Sequence, residues 1–208
     1  MPLKALAINC SLKASSSSER SSTDVMLGLL REDLRYRDCE STVLRAADYN
    51  IKPGVTSDEG EGDDWPHIRR QILDSDILII GTPVWLGQPS SICKRVLERM
   101  DAFLAETDDE GRMVSYSRVA AVAIVGNEDG AHFCSAAIYQ ALNDVGFSLA
   151  ANAVTYWVGE AMASRDFKHL DATPTKVVET SKLVARNVVH LAELLKANAY
   201  PGKERNLE

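Results

Sequence analysis

The stretch Asp76-Ile77-Leu78-Ile79-Ile80-Gly81 constrains the fold of this chain more than any other. Its apolar run is unbroken by polar residues and bounded by Asp and Gly. Such a run reads as a strand covered on both faces, the kind found inside a parallel sheet sandwiched between helices. The rest of the sequence repeats the theme. Strand-like runs at 3–10, 41–47, 119–125 and 148–158 alternate with amphipathic stretches at 23–36, 65–73, 90–104, 131–145 and 173–197. The first of these helices turns Val25, Leu27, Leu29, Leu30 and Leu34 inward, and Pro174 stands near the start of the last one, where proline is tolerated. Alternation of this kind predicts an α/β fold with helices on both faces of a parallel sheet. Residues 1–200 are expected to form a single domain and 201–208 a C-terminal tail. The acidic, Gly-containing stretch Ser57–Asp64, preceded by Pro53-Gly54, reads as a surface loop.

Composition narrows the function classes. A chain of 208 residues can close one sizeable core. Its 30 acidic against 23 basic residues, net charge −7, argue against a general nucleic-acid binder, which needs clustered Lys and Arg. No run of about 18 apolar residues could span a bilayer, and the first residues lack the apolar stretch of a signal peptide. The four cysteines Cys10, Cys39, Cys93 and Cys134 are scattered, without a CxxC pair or a His at ligand spacing. They are expected to be reduced, mostly buried thiols in a cytoplasmic protein that binds no metal.

In an open parallel sheet, ligands bind beyond the carboxyl ends of the strands. Three connections there carry unusual chemistry. The first is Asn9-Cys10-Ser11-Leu12-Lys13 with the Ser-rich run that follows, up to Thr23. Hydroxyls of Ser11, Ser21, Ser22 and Thr23, the charge of Lys13 and a helix N-terminus suit a phosphate, although a flexible linker with an ordinary helix cap has the same composition. No GxxxxGK[ST] or GxGxxG is present, which excludes a P-loop and the classical dinucleotide fingerprint. Cys10 stands where a phosphatase nucleophile could, but the position six residues on is Ser16 rather than Arg, so a small buried residue is expected.

The second connection, Gly81-Thr82-Pro83-Val84-Trp85-Leu86-Gly87-Gln88-Pro89-Ser90, is stiffened by two prolines and freed at two glycines. It suits a wall against a flat heterocycle; the alternative is a Pro-rich turn with Trp85 tucked into the core. The third, Gly126-Asn127-Glu128-Asp129-Gly130-Ala131-His132, offers backbone groups and Asn127 to a ring edge, or is a Gly-bounded turn into a helix. Glu128 and Asp129 read best as a solvated cap, and His132 as a weak catalytic candidate.

The motifs "SLK", "GTPVWLGQPS" and "GNEDGAH", taken in this order, resemble those of the flavodoxin-like NADPH-dependent FMN reductases, which include quinone reductases and other small NAD(P)H-dependent oxidoreductases. The resemblance covers nearly the whole chain, and the second motif is its specific part. It implies a five-stranded parallel sheet in the order 2-1-3-4-5 with FMN across the strand ends. Ser11, Lys13, Ser22 and Thr23 would hold the FMN phosphate. Pro83, Val84, Trp85, Leu86 and Gly87 would line the isoalloxazine ring, and Gly126, Asn127 and Gly130 would lie near its pyrimidine side. Ser22 stands where the family commonly has Asn, and Ser15–Ser18 looks like an insertion. The compact cysteine cluster of iron–sulfur members is absent, so no cluster is expected.

The implied activity is hydride transfer from NAD(P)H to FMN and on to a quinone, free flavin or other small electron-poor acceptor, with the protein supplying position and electrostatics. No catalytic acid is identified. Arg20, Arg112, Arg118 and Arg165 are candidates for a 2′-phosphate contact. A homodimer or homotetramer is expected, with the last helix and Tyr156-Trp157 as candidate contacts. Two rival readings stand beside this one. An electron-carrier flavodoxin suits the acidic charge, but the third connection lacks the Trp or Tyr that covers a carrier's flavin. A flavin-free interaction protein could share the fold.

Overall fold

A computed structural model describes residues 2–160, 163 and 165–202, so most of the expected tail lies outside the described residues. The strands are β1 (Leu3–Asn9), β2 (Cys39–Arg45), β3 (Ile77–Trp85), β4 (Gln88–Pro89), β5 (Val119–Gly126) and β6 (Ser148–Val158). The helices are α1 (Ser22–Arg35), α2 (Trp65–Leu73), α3 (Ser91–Arg99), α4 (Ala131–Asp144) and α5 (Thr175–Ala197). The long strands pair in parallel in the order β2-β1-β3-β5-β6. This is the expected 2-1-3-4-5 arrangement with a short sixth strand added.

The pleat of β3 explains its unbroken apolar run. Leu78 and Ile80 face a core shared with Ile68 and Ile72 of α2, Val96 of α3, and Ile138 and Leu142 of α4. Ile77 and Ile79 face the opposite core, with Met26 and Leu30 of α1 and Val184 and Val188 of α5. All of these side chains are fully buried, each worth about 1.5–3 kcal/mol of transfer free energy.

The added strand lies in the stretch expected as a loop. β3 continues through Thr82–Trp85, turns at Leu86-Gly87 and returns antiparallel as β4, pairing Val84 with Pro89 and Trp85 with Gln88. Both turn residues have positive φ, +52° at Leu86 and +73° at Gly87, the backbone of a two-residue hairpin matched to strand twist. Asn-Gly or Asp-Gly usually announces such a turn; Leu-Gly conceals it.

The acidic stretch 57–64 is irregular, as expected, but it is anchored. The Arg99 side chain, fully buried, pairs with the equally buried Asp63 at 2.7 Å and donates to the carbonyls of Lys52 and Thr56. Its guanidinium lies 5.6 Å from the centre of a Trp65 ring. Burial raises the Asp63 carboxyl, but Arg99 and the backbone N–H groups of Glu59, Trp65 and Lys52 outweigh it and hold the group well below its ordinary value.

Two caps fix the edge of the sheet where the three unusual connections meet. At α1, Ser21 Oγ accepts from Asp24 N at 3.1 Å and Asp24 Oδ2 accepts from Ser21 N at 3.3 Å, a capping box. At α3, Ser90 Oγ accepts from Cys93 N at 3.0 Å and donates to the Cys10 carbonyl at 2.5 Å. Thr82 Oγ1 accepts from Ser90 N at 3.1 Å. One serine thus joins the ends of β1 and β3 to a helix start.

Candidate functional site

At the carboxyl ends of β1, β3 and β5 lies a cavity of about 210 Å³. Ser11, Lys13, Ser21, Ser22 and Thr23 line one end; Pro83, Val84, Trp85, Gly126 and Asn127 line the other. Ten of the residues singled out in the sequence therefore converge on one space. Leu86, Gly87 and Gly130 do not line it. Leu86 is 91% exposed at the hairpin tip. Gly87 and Gly130 hold the hairpin against the β5–α4 connection: a Cβ on Gly130, whose φ is +135°, would stand 2.7 Å from the Gly87 Cα. Only glycine permits that approach.

Trp85 is 54% exposed rather than tucked into the core. Glu128, expected as a solvated cap, instead accepts the Leu86 backbone N–H at 3.0 Å and so clasps the hairpin to the β5–α4 connection. Asp129 accepts from Gly130 N at 2.7 Å, but no side chain caps α4, whose N-cap is Gly130, so the expected cap is absent here.

The hydroxyl end is buttressed from below. Asn9 Oδ1 accepts from Ser11 N at 2.9 Å, and Asn9 Nδ2 donates to Asp24 Oδ1 at 2.6 Å. Arg45 pairs with Asp24 and donates to the Lys13 carbonyl at 3.0 Å. Burial pushes the Asp24 carboxyl up, and the Arg45 guanidinium beside it more than reverses that, leaving it lowered and ionised. The first N–H groups of α1 have no intrahelical partner and carry the positive end of the helix dipole towards this end of the cavity. The Ser15–Ser18 run contributes nothing to the lining. It forms an exposed turn, closed by Ser17 N to the Ala14 carbonyl at 3.0 Å and pinned by Ser15 N to Asp48 Oδ1 at 2.6 Å.

Sequence reasoning missed the third wall. Leu12, Val125, Trp157, Asp166, Phe167 and Lys168 complete the lining. Trp157, considered above as an interface residue, packs on Phe167 with ring centres 5.4 Å apart. Lys168 N donates to Ser22 Oγ at 3.3 Å, and Asn127 Nδ2 to the Ala163 carbonyl at 3.1 Å. Ala163 and Asp166–Lys168, between β6 and α5, thereby border the site. No motif announces it; Trp157 at the end of a strand was the one local signal.

The remaining candidates fall elsewhere. His132 is exposed, 3.2 Å from the Tyr156 hydroxyl and edge-on to its ring, outside the cavity lining. Cys10 is fully buried, and a hydrogen bond with the Cys93 thiol together with burial pushes its thiol well above the ordinary range, which disfavours a thiolate nucleophile. Arg112 is engaged by Asp108, and Arg118 by the carbonyls of Leu73 and Val114. Arg20 donates to the Asp24 carbonyl at 3.3 Å and Arg165 pairs with Asp171 at 2.8 Å, and neither lines the cavity.

The donor set fits a ligand with a phosphate at one end and a planar apolar body at the other. Hydroxyls, a lysine and a helix start face the first, while Pro83, Val84, Trp85 and Trp157 face the second. Among the described residues, no cluster of three or more His, Cys, Asp or Glu is placed to hold a metal ion, and no helix is long and apolar enough to cross a membrane.

Residues 3–163 match the model of a family described as NADPH-dependent FMN reductase. The chain is 30% identical over 212 residues to 8-demethyl-8-aminoriboflavin-5'-phosphate synthase of Streptomyces davaonensis, covering 96% of this chain and 81% of that protein. It is 32% identical over 204 residues to the divalent metal cation transporter MntH of Mycobacterium bovis, covering 95% of this chain but 30% of that relative's length. Among solved structures, RosB with bound 8-demethyl-8-formylriboflavin-5'-phosphate superposes with a TM-score of 0.87 at 27% identity, covering 95% of this chain and 82% of that one. A flavone reductase, at 12% identity and a TM-score of 0.70 over 96% of this chain and 66% of its own, shares the fold.

Proposed function

The chain belongs to the NADPH-dependent FMN reductase family, and from that premise we propose that it binds FMN in the cavity at the ends of β1, β3 and β5 and passes electrons from NAD(P)H to a quinone, free flavin or other small electron-poor acceptor. The observation that carries this reading is the convergence of a hydroxyl-and-lysine end and an aromatic end on one cavity. Residues 1–200 act in this reading as a single FMN-binding domain.

FMN supplies the hydride chemistry when bound. Ser11, Ser22, Thr23 and Lys13 bind the phosphate and set the ligand's register. Pro83, Val84 and Trp85 line the ring and keep water from it, and backbone N–H groups of the hairpin and of the β5–α4 connection favour negative charge at its polar edge. The β5–α4 connection brings Gly126 and Asn127 but no Trp or Tyr to the lining, which supports a reductase over an electron carrier. Exposed Leu12, Trp85, Leu86 and Phe133 support self-association near the site; light scattering of the purified protein tests for the homodimer or homotetramer.

A second reading follows from the relative from Streptomyces davaonensis and the RosB complex, whose names place chemistry on the flavin phosphate itself. There the flavin phosphate would be substrate rather than resident cofactor. One experiment separates the two. The protein is loaded with FMN, mixed anaerobically with NADPH and then NADH, and followed at the flavin absorption. Rapid bleaching, recovery with a quinone and an unchanged flavin mass support the reductase. A changed flavin mass supports the second reading, and bound flavin that neither bleaches nor changes favours the carrier.

A further inference from the structure

At the hydroxyl end of the cavity, Lys13 and Lys168 reach in from opposite ends of the chain and converge on one atom. Glu19 Oε2 accepts from Lys13 Nζ at 2.6 Å and from Lys168 Nζ at 2.8 Å. Both lysines line the cavity; Glu19 does not. The Lys168 side chain is 9% exposed and its backbone N–H is held by Ser22 Oγ, so its position is fixed by the fold. A nearly buried ammonium requires an anionic partner. Glu19, by contrast, is 61% exposed on a Ser-rich loop. The two lysines hold its carboxyl down to about 2, so protonation does not release it near neutral pH. Only another anion can take its place.

We propose that Glu19 is an internal stand-in for the ligand's phosphate: its carboxylate holds the Lys13–Lys168 clamp until an incoming phosphate monoester displaces it and gains Lys168 as a second cationic contact. The inference rests on the flavin-phosphate reading above and deepens it. Charge makes the two occupants exclusive. Lys13 and Lys168 supply the positive charge at this end, and Asp166, in the same lining and close enough to act on Lys13, already offsets part of it. Retaining Glu19 beside a phosphate dianion would therefore add to an excess of negative charge. The consequence is exchange. A site that must give up an internal ion pair binds its flavin less tightly than the clamp alone would, and releases it more readily.

The test compares FMN with riboflavin, which lacks the phosphate, in fluorescence titrations of parent, Glu19→Gln and Lys168→Gln proteins. Glu19→Gln is expected to bind FMN roughly two- to fivefold tighter with riboflavin unchanged, the size of a solvent-exposed ion pair removed from competition. Lys168→Gln is expected to weaken FMN roughly tenfold relative to riboflavin, and to abolish the gain when combined with Glu19→Gln. FMN affinity unchanged or weakened by Glu19→Gln overturns the proposal while leaving the flavin reading intact. Failure of the parent to bind either flavin overturns the flavin reading instead. The clamp then still faces a direct test, thermal stabilisation by inorganic phosphate. A larger shift for Glu19→Gln than for the parent supports the stand-in, and equal shifts overturn it.

Discussion

The two ends of the cavity are built on opposite principles. The ring end is largely backbone against backbone: Gly87 and Gly130 touch, the Leu86-Gly87 turn sits at positive φ, and Glu128 on the Leu86 N–H and the Cys134 thiol on the Gly87 carbonyl clasp it. The phosphate end is charge against charge: Asp24 with Arg45, Glu19 with Lys13 and Lys168, and four hydroxyls at a capped helix start. A flat ring demands fixed walls and tolerates no slack, so close packing suits it. A phosphate demands donors that can be re-paired, so polar contacts suit it. Perturbations should therefore act in different currencies at the two ends, and the comparison fails if they do not.

The largest effect is expected at the ring end. Gly130→Ala places a Cβ against the Gly87 backbone at a φ of +135° that L-residues rarely adopt. The cost is about 2–3 kcal/mol, a fall in melting temperature of roughly 5–10 °C, with FMN and riboflavin binding lost together. Next comes Trp85→Ala. With its side chain half-exposed, folding should be little changed, whereas both flavins should bind roughly tenfold more weakly, an aromatic contact of about 1–1.5 kcal/mol. Thr23→Val is the counterpart at the other end: it keeps the shape of a buried side chain and removes its hydroxyl. FMN should weaken by roughly fivefold, about 1 kcal/mol, and riboflavin not at all. Equal losses for both ligands with Thr23→Val, or unequal ones with Trp85→Ala, would erase the distinction between the ends.

The same contrast explains what could be read from the sequence. The layers and strand order were legible because β3 and β5 must satisfy two cores at once, which forces runs such as Ile77-Leu78-Ile79-Ile80. The ring wall was legible because Pro83, Trp85 and Gly87 are costly residues for an ordinary loop. Its hairpin is not legible there, because the turn uses Leu86, whose αL backbone has no sequence signature. At the phosphate end, the hydroxyls flanking the Ser-rich run were legible as a kind of chemistry. Their partners were not, since Lys168 and Phe167 lie between β6 and α5 and are brought to the site by tertiary contacts, Phe167 with Trp157 and Lys168 N with Ser22. The anchoring of the acidic stretch by Arg99 escaped for a similar reason. A buried arginine looks like any surface arginine until its acceptors, mostly backbone carbonyls, are assembled.

The smallest expected effect separates the two ends by pH. Asp24 is held below its ordinary value because the Arg45 pair outweighs the upward push of burial. A carboxylate lowered in the folded state adds stability that is complete above its unfolded pKa, about 3.9, and is lost as pH falls through the folded value. The parent should therefore outlast Asp24→Asn in thermal denaturation near pH 6, by about 1 kcal/mol for a partly buried pair. The gap should narrow as the pH is lowered below about 4. Asparagine keeps one oxygen for Ser21 N but turns its NH2 towards Asn9 Nδ2, a loss that does not titrate, so only the part of the gap that changes with pH reports the charge. Other lowered carboxylates, Asp63 among them, titrate in both proteins and cancel in the difference. The Gly130→Ala penalty supplies the contrast, because steric contact with the Gly87 backbone involves no titrating group and should persist unchanged over the same range. If the Asp24→Asn gap is as flat with pH as the Gly130→Ala gap, then Asp24 serves the helix start by shape alone and the phosphate end is not held by charge.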